Sequence, residues 1–278
     1  MSVKIIIDST TDTIPAVRSR CTVVPLSVRF GDKEYIDGVT IDYVTFYEKL
    51  MESTELPTTS QPTPDAFAQA YETALAEHDE VLVLTLSSAL SGTYQSATIA
   101  AMDYPGKVFV VDTRNVSIGA GILTELAMEM ADQGKKAKEI AEIVEKIREK
   151  VVIFAMVDTL EYLKKGGRIS KTVAFAGELL AVKPLICIDD GEIKMMGKAR
   201  GIKQANAQLN KLFREAGQVD YGKPILLGYT GLSDIPVKKY AEESEGLWQV
   251  CRNRVCPIGC TIGTHCGPGA YAAACFVK

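Results

Sequence analysis

Apolar residues recur along this chain in two alternating rhythms: short unbroken runs, and stretches spaced by three and four. Runs at residues 4–7, 22–27, 80–86 and 107–111 are strand-length and rich in valine, isoleucine and leucine. Between them Phe67, Ala70, Tyr71, Ala74 and Leu75 fall on one helical face, and Thr63 followed by Pro64 predicts the N-cap and first position of that helix. Residues 117–133 and 136–150 predict two consecutive helices. The second places Ala137, Ile140, Ile143, Val144 and Ile147 on one side and Lys and Glu on the other. Such alternation is the signature of βα units and a parallel sheet.

After a strand at 151–157 the texture changes. Residues 160–167 are short and basic, 183–188 and 192–199 flank Asp189-Asp190-Gly191 as a hairpin, and 201–215 are helical. Residues 224–229, 247–251 and 270–277 supply further strands. The expected fold class is therefore α/β in two domains. Residues 1–150 form a parallel-sheet α/β domain and residues 151–278 an α+β domain with a mixed sheet, with a cleft between them suited to a ligand.

Composition narrows the function classes. With 47% hydrophobic and 24% charged residues in 278, the chain suits globular folding without disorder. Its 31 basic and 35 acidic residues leave a net charge of -4, so no positive field exists to hold a nucleic-acid backbone. No apolar stretch reaches the roughly 20 residues that span a bilayer, so no stable membrane insertion is expected. Met1-Ser2-Val3-Lys4 runs directly into Ile5-Ile6-Ile7 without a signal-peptide pattern, which leads us to expect a cytoplasmic protein. In that compartment the seven cysteines read as buried thiols rather than disulfides.

Candidate chemistry lies in hydroxyl- and glycine-rich segments. Ser87-Ser88-Ala89-Leu90-Ser91-Gly92-Thr93-Tyr94 follows a strand and precedes a helical pattern, where an open α/β sheet offers free amides to an anion. Thr58-Thr59-Ser60-Gln61-Pro62-Thr63-Pro64 is a second such cluster, and Asp8-Ser9-Thr10-Thr11-Asp12 a third, with Asp8 at a strand end and Asp12 as a local cap. Each is also explained by helix capping alone. Near the C-terminus three glycines and a proline surround His265 in Gly263-Thr264-His265-Cys266-Gly267-Pro268-Gly269, suggesting a fixed turn close to a ligand. The other histidine, His78, reads as structural.

Asp8-Ser9-Thr10, Thr59-Ser60-Gln61-Pro62, Leu90-Ser91-Gly92-Thr93-Tyr94, Gly167-Arg168-Ile169-Ser170 and His265-Cys266-Gly267-Pro268-Gly269 together resemble the marks of the DegV family, in its order and across the chain. The resemblance implies a two-domain α/β protein that binds a long-chain fatty acid in a buried tunnel. It further implies the role of substrate-carrying subunit, presenting the acyl carboxylate to a separate ATP-binding fatty-acid kinase of bacteria. By position, Thr59, Ser60, Ser91, Gly92, Thr93, His265 and Gly267 resemble the ligand-binding set. Arg168 and Arg200 resemble the basic residues at the mouth, where kinase and phosphate dock.

The division of labour is physically reasonable. Burying roughly ten methylenes contributes about 8 kcal/mol, whereas each hydrogen bond to a charged head contributes ~1.5–3 kcal/mol. The tail sets affinity and the hydroxyls set orientation. Cys256, Cys260 and Cys266 depart from the family's usual residues, but their spacing is not a paired Cys-x-x-Cys, so no metal is expected. No cofactor is expected either: the phosphate-binding G-x-x-x-x-G-K-[ST] and G-x-G-x-x-G patterns are missing. The alternative is a serine hydrolase using Ser91 and His265, although Ala89-Leu90-Ser91-Gly92-Thr93 lacks the flanking glycines of a nucleophile elbow.

Overall fold

The computed structural model describes residues 2–169, 182–244, 246–248 and 253–278. In chain order its strands are β1 (Val3–Asp8), β2 (Thr22–Val24), β3 (Ser27–Phe30), β4 (Lys33–Ile36), β5 (Thr58–Ser60), β6 (Glu80–Thr85), β7 (Val108–Asp112), β8 (Val151–Met156), β9 (Val182–Asp189), β10 (Glu192–Arg200), β11 (Leu226–Tyr229), β12 (Val255–Pro257) and β13 (Tyr271–Phe276). They form a parallel sheet in the order β2-β1-β6-β7, a mixed sheet β10-β9-β8-β13-β11-β12 and a small antiparallel sheet β4-β3-β5. The mixed α/β class anticipated from the hydrophobic pattern is what the molecule adopts.

Local chemistry explains the elements. β6 reads Glu-Val-Leu-Val-Leu-Thr and is buried on both faces, as a central parallel strand must be. Along β10 exposed Glu192, Lys194, Met196 and Lys198 alternate with more sheltered residues, the mark of a sheet with one wet face. Helix Pro64–Leu75 begins as expected, with the Ala66 amide donating to the Thr63 hydroxyl at 3.3 Å. Asp190 and Gly191 both have positive φ, 53° and 81°, and make the two-residue turn of the β9–β10 hairpin.

Helix Ile118–Asp132 is buried nearly all round because it lies between the two large sheets. Its Ile118, Ile122 and Leu123 share one core with Leu82 and Leu84 of β6 and with Leu226, Ala272 and Ala274 of β11 and β13. Gly121 is required there: any Cβ would meet the Asp12 carbonyl. A second core behind the mixed sheet stacks Phe154, Phe213 and Trp248 edge to face, at 4.9 and 4.7 Å between centroids.

Three expectations change. Residues 58–60, read as a capped turn, form β5, because pairing with β3 satisfies their backbone. Leu247 and Trp248, read as the start of a strand, lie in a turn, and 249–251 fall outside the described residues; the sheet edge is β12 instead. Asp12 is not a local cap, since its carboxylate reaches Ser117 and Gly259, far away in sequence.

Candidate functional site

In the parallel sheet the chain steps one way from β1 to β2 and the other way from β6 to β7, so the topological switch lies between β1 and β6. The carboxyl ends of such strands are where an open α/β sheet forms a crevice. There the Leu86 amide donates to Asp8 at 2.7 Å, tying the two strand ends together. Beyond them lies a cavity of about 330 Å³.

Three elements bring hydroxyl and imidazole groups to its wall. The loop after β6 supplies Ser91 and Gly92, β5 supplies Thr59 and Ser60 with Gln61 following, and helix Cys260–Cys266 supplies His265. Ser91 Oγ accepts from the Thr93 amide at 3.3 Å and shares a hydrogen bond with the Thr93 hydroxyl at 2.9 Å. With the Thr93 hydroxyl as donor, the Ser91 hydroxyl is left to donate into the cavity. Gln61 donates to Ser96 at 3.0 Å and lies where a Gly92 side chain would be, which is why glycine begins helix Thr93–Ala101.

His265 stands in the last turn of a helix rather than in the irregular turn expected; the turn begins at Gly267, whose φ of 69° suits glycine and whose missing side chain leaves room for the Tyr162 ring. His265 Nε2 lies 2.9 Å from Thr59 Oγ1, while Nδ1 is buried against Gly166 without a partner. Leaving a lone pair unpaired costs less than orphaning an N–H, so the proton belongs on Nε2. Nε2–H then donates to Thr59, and the Thr59 hydroxyl is free to donate into the cavity. Burial, aided by the Arg168 charge, depresses the His265 pKa from 6.5 to about 4, so the ring is neutral near pH 7.

The other end of this seven-residue helix is held by two carboxylates from the N-terminal half. Asp12 accepts from the Gly259 amide at 2.9 Å and from Ser117 at 2.6 Å. Asp37 accepts from the Thr261 amide and hydroxyl at 3.1 and 2.6 Å, and from Ser9 at 3.0 Å. Burial raises Asp12 to about 7, against the opposing pull of its Ser117 and Gly259 bonds.

Arg168 also lines the cavity, donating to the carbonyls of Gly166 at 2.6 Å and Leu90 at 3.4 Å. Arg200, paired with it by sequence, is exposed at the start of helix Gly201–Ala216 and does not line the cavity. Nor do Thr93, which supports Ser91 from behind, and Gly267. Ser170 lies outside the described residues. Thr261 and Ile193 line the wall without having been singled out, and Gln61 lines it although by sequence it belongs to the Thr59-Ser60-Gln61-Pro62 motif and not to the ligand-binding set.

Behind the polar chamber is an apolar one of about 60 Å³ between the mixed sheet and the helix that carries His265. It is walled by Ala155, Ile186, Ile188, Ile258, Ala270 and Ala272 among others. The Ser91–His265 pairing of a hydrolase is not assembled: each hydroxyl or imidazole is bonded elsewhere, and no acid orients Nδ1. Among the described residues no group of three or more His, Cys, Asp or Glu side chains converges as metal ligands, and no helix is long and apolar enough to cross a membrane. Cys256 and Cys260 each approach a backbone carbonyl instead.

Residues 2–278 match the family model described as uncharacterised protein, DegV family. A DegV domain-containing protein of Deinococcus radiodurans is 35% identical, over 99% of this chain and 98% of its own. Among solved structures, a fatty-acid-binding DegV family protein from Thermus thermophilus is 33% identical with a TM-score of 0.87, each chain fully covered. The fatty-acid-binding DegV of Bacillus subtilis is 30% identical with a TM-score of 0.82 and 99% coverage of both. A DegV family protein from Eubacterium eligens, 26% identical with a TM-score of 0.86 and each chain fully covered, is loaded with heptadecanoic acid.

Proposed function

Because this chain belongs to the DegV family, we propose that it binds a long-chain fatty acid, its carboxylate among the hydroxyls of the polar chamber and its tail in the apolar chamber behind. The observation that carries this reading is the sequence of the two chambers: donors at the outer one, almost pure hydrocarbon at the inner one, with shared walls. The Thr59 and Ser91 hydroxyls donate to the carboxylate. Neutral His265 supports Thr59 without neutralising the bound anion. A carboxylate held by neutral donors retains its nucleophilicity, which suits presentation to a phosphate donor on a separate kinase. Arg168 at the mouth and exposed Arg200 are the docking residues in this reading. Residues 1–150 and 151–278 are its two domains. Its compartment in this reading is the cytoplasm.

The test combines Ser91→Ala and Thr59→Ala. Each lost hydrogen bond to the charged head is worth ~1.5–3 kcal/mol, so the double variant should bind fatty acid at least a hundredfold more weakly in calorimetry. Unchanged affinity, together with unchanged acyl-phosphate formation alongside a matching kinase, would remove the assignment.

A further inference from the structure

Val116, Ile193, Ile262 and Cys266 line both chambers and so form the neck between them. Three of these are built into well-braced backbone. Val116 adjoins Ser117, and Ile262 and Cys266 lie on the His265 helix; Asp12 bonds both Ser117 and that helix's cap residue, Gly259. Ile193 alone arrives on a hairpin.

That hairpin is tied down beside it. The Ser87 hydroxyl donates to the Gly191 carbonyl at 2.7 Å in a buried contact, and Arg114 pairs with Asp190 at 2.5 Å. A Cβ on Gly191 would stand 2.5 Å from Ser87 Oγ, so the tip fits only as glycine. The Ile193 backbone also bridges to Ile169, the neighbour of Arg168, and the residue is buried at 8% exposure. A β-branched side chain with few rotamers, on a backbone held at both sides, does not swing aside.

We propose that Ile193 is a specificity-determining residue, a fixed bar across the neck that passes an unbranched methylene chain and rejects acyl chains carrying a methyl branch near the carboxylate. This rests on the fatty-acid reading above. One methyl too many in a close-packed site is discriminated against by about tenfold or more.

The experiment measures dissociation constants of hexadecanoic and 3-methylhexadecanoic acids for wild type, Ile193→Val and Ile193→Ala. The expected preference for the straight acid is at least tenfold in wild type, smaller in Ile193→Val and under threefold in Ile193→Ala, through gained affinity for the branched acid. If wild type binds the straight acid but the ratio is the same in Ile193→Val, or in Ile193→Ala, the neck assignment is overturned while the fatty-acid reading stands. If wild type binds neither acid, both fall. The valine variant removes one methyl and keeps the test decisive should alanine prevent folding.

Discussion

His265 is neutral because its surroundings are dry and Arg168 is near, and this has a measurable price in acid. Its pKa is 6.5 in the unfolded chain and about 4 in the fold. The fold therefore has this contribution in full above pH 6.5 and loses it as pH falls toward 4, by roughly 3 kcal/mol at about 1.4 per unit. Asp12 works in the opposite sense. Its pKa rises from 3.8 to about 7, so its contribution is full below 3.8 and is lost as pH rises through 7. Between pH 4 and 7 the two oppose each other. Denaturant melts at pH 5 and 7 should therefore diverge: His265→Gln gains stability at pH 5 relative to pH 7 compared with wild type, and Asp12→Asn loses it. Matching slopes in both variants would contradict the burial argument. Gly166→Ala gives a third test. Its backbone tolerates alanine, but the new methyl meets His265 Nδ1, so fatty-acid binding should weaken tenfold or more in calorimetry with the circular dichroism spectrum unchanged.

At the scale of elements, what the sequence made legible was what local forces decide. The Thr63-Pro64 helix start, the Asp190-Gly191 turn and the helix Ala137–Ile147 follow in turn from capping, positive φ and amphipathic spacing. Thr58–Ser60 was opaque, because a short polar strand announces itself only through its partner β3. The helix carrying His265 was opaque for the same kind of reason: two of its seven residues bear the His-Cys pair and one is glycine, and its first turn is secured by Asp12 and Asp37 from more than two hundred residues away. Thr59, Ser60, Ser91, Gly92 and His265 were readable as a set only through family resemblance. Nothing local tells Ser91, which faces the cavity, from Thr93, which stands behind it. The neck was invisible, since Ile193 reads like any inward residue of a hairpin.

Over the whole molecule, the parallel sheet ends before residue 113 and the mixed sheet begins at 151, yet the faces they turn toward each other share one core, built on helix Ile118–Asp132. Calorimetry should accordingly record a single unfolding transition with equal calorimetric and van't Hoff enthalpies, and two resolved transitions would refute the shared core. Gly121→Ala sets a methyl against the Asp12 carbonyl, a backbone atom with little freedom to yield. A loss of ~1–3 kcal/mol in denaturant melts is expected, felt by probes in both sheets at once.

On the fatty-acid reading, the buried helix between the sheets also determines how the ligand must be exchanged. Two lobes that share a spine do not part like the halves of a shell, because parting them would expose that spine to water. Release then has to pass through side chains and loops at the rim, and the lifetime of the bound state becomes separable from the robustness of the fold. In that same reading, breaking the exposed Arg114–Asp190 pair at the hairpin tip should shorten that lifetime while the melting temperature barely moves.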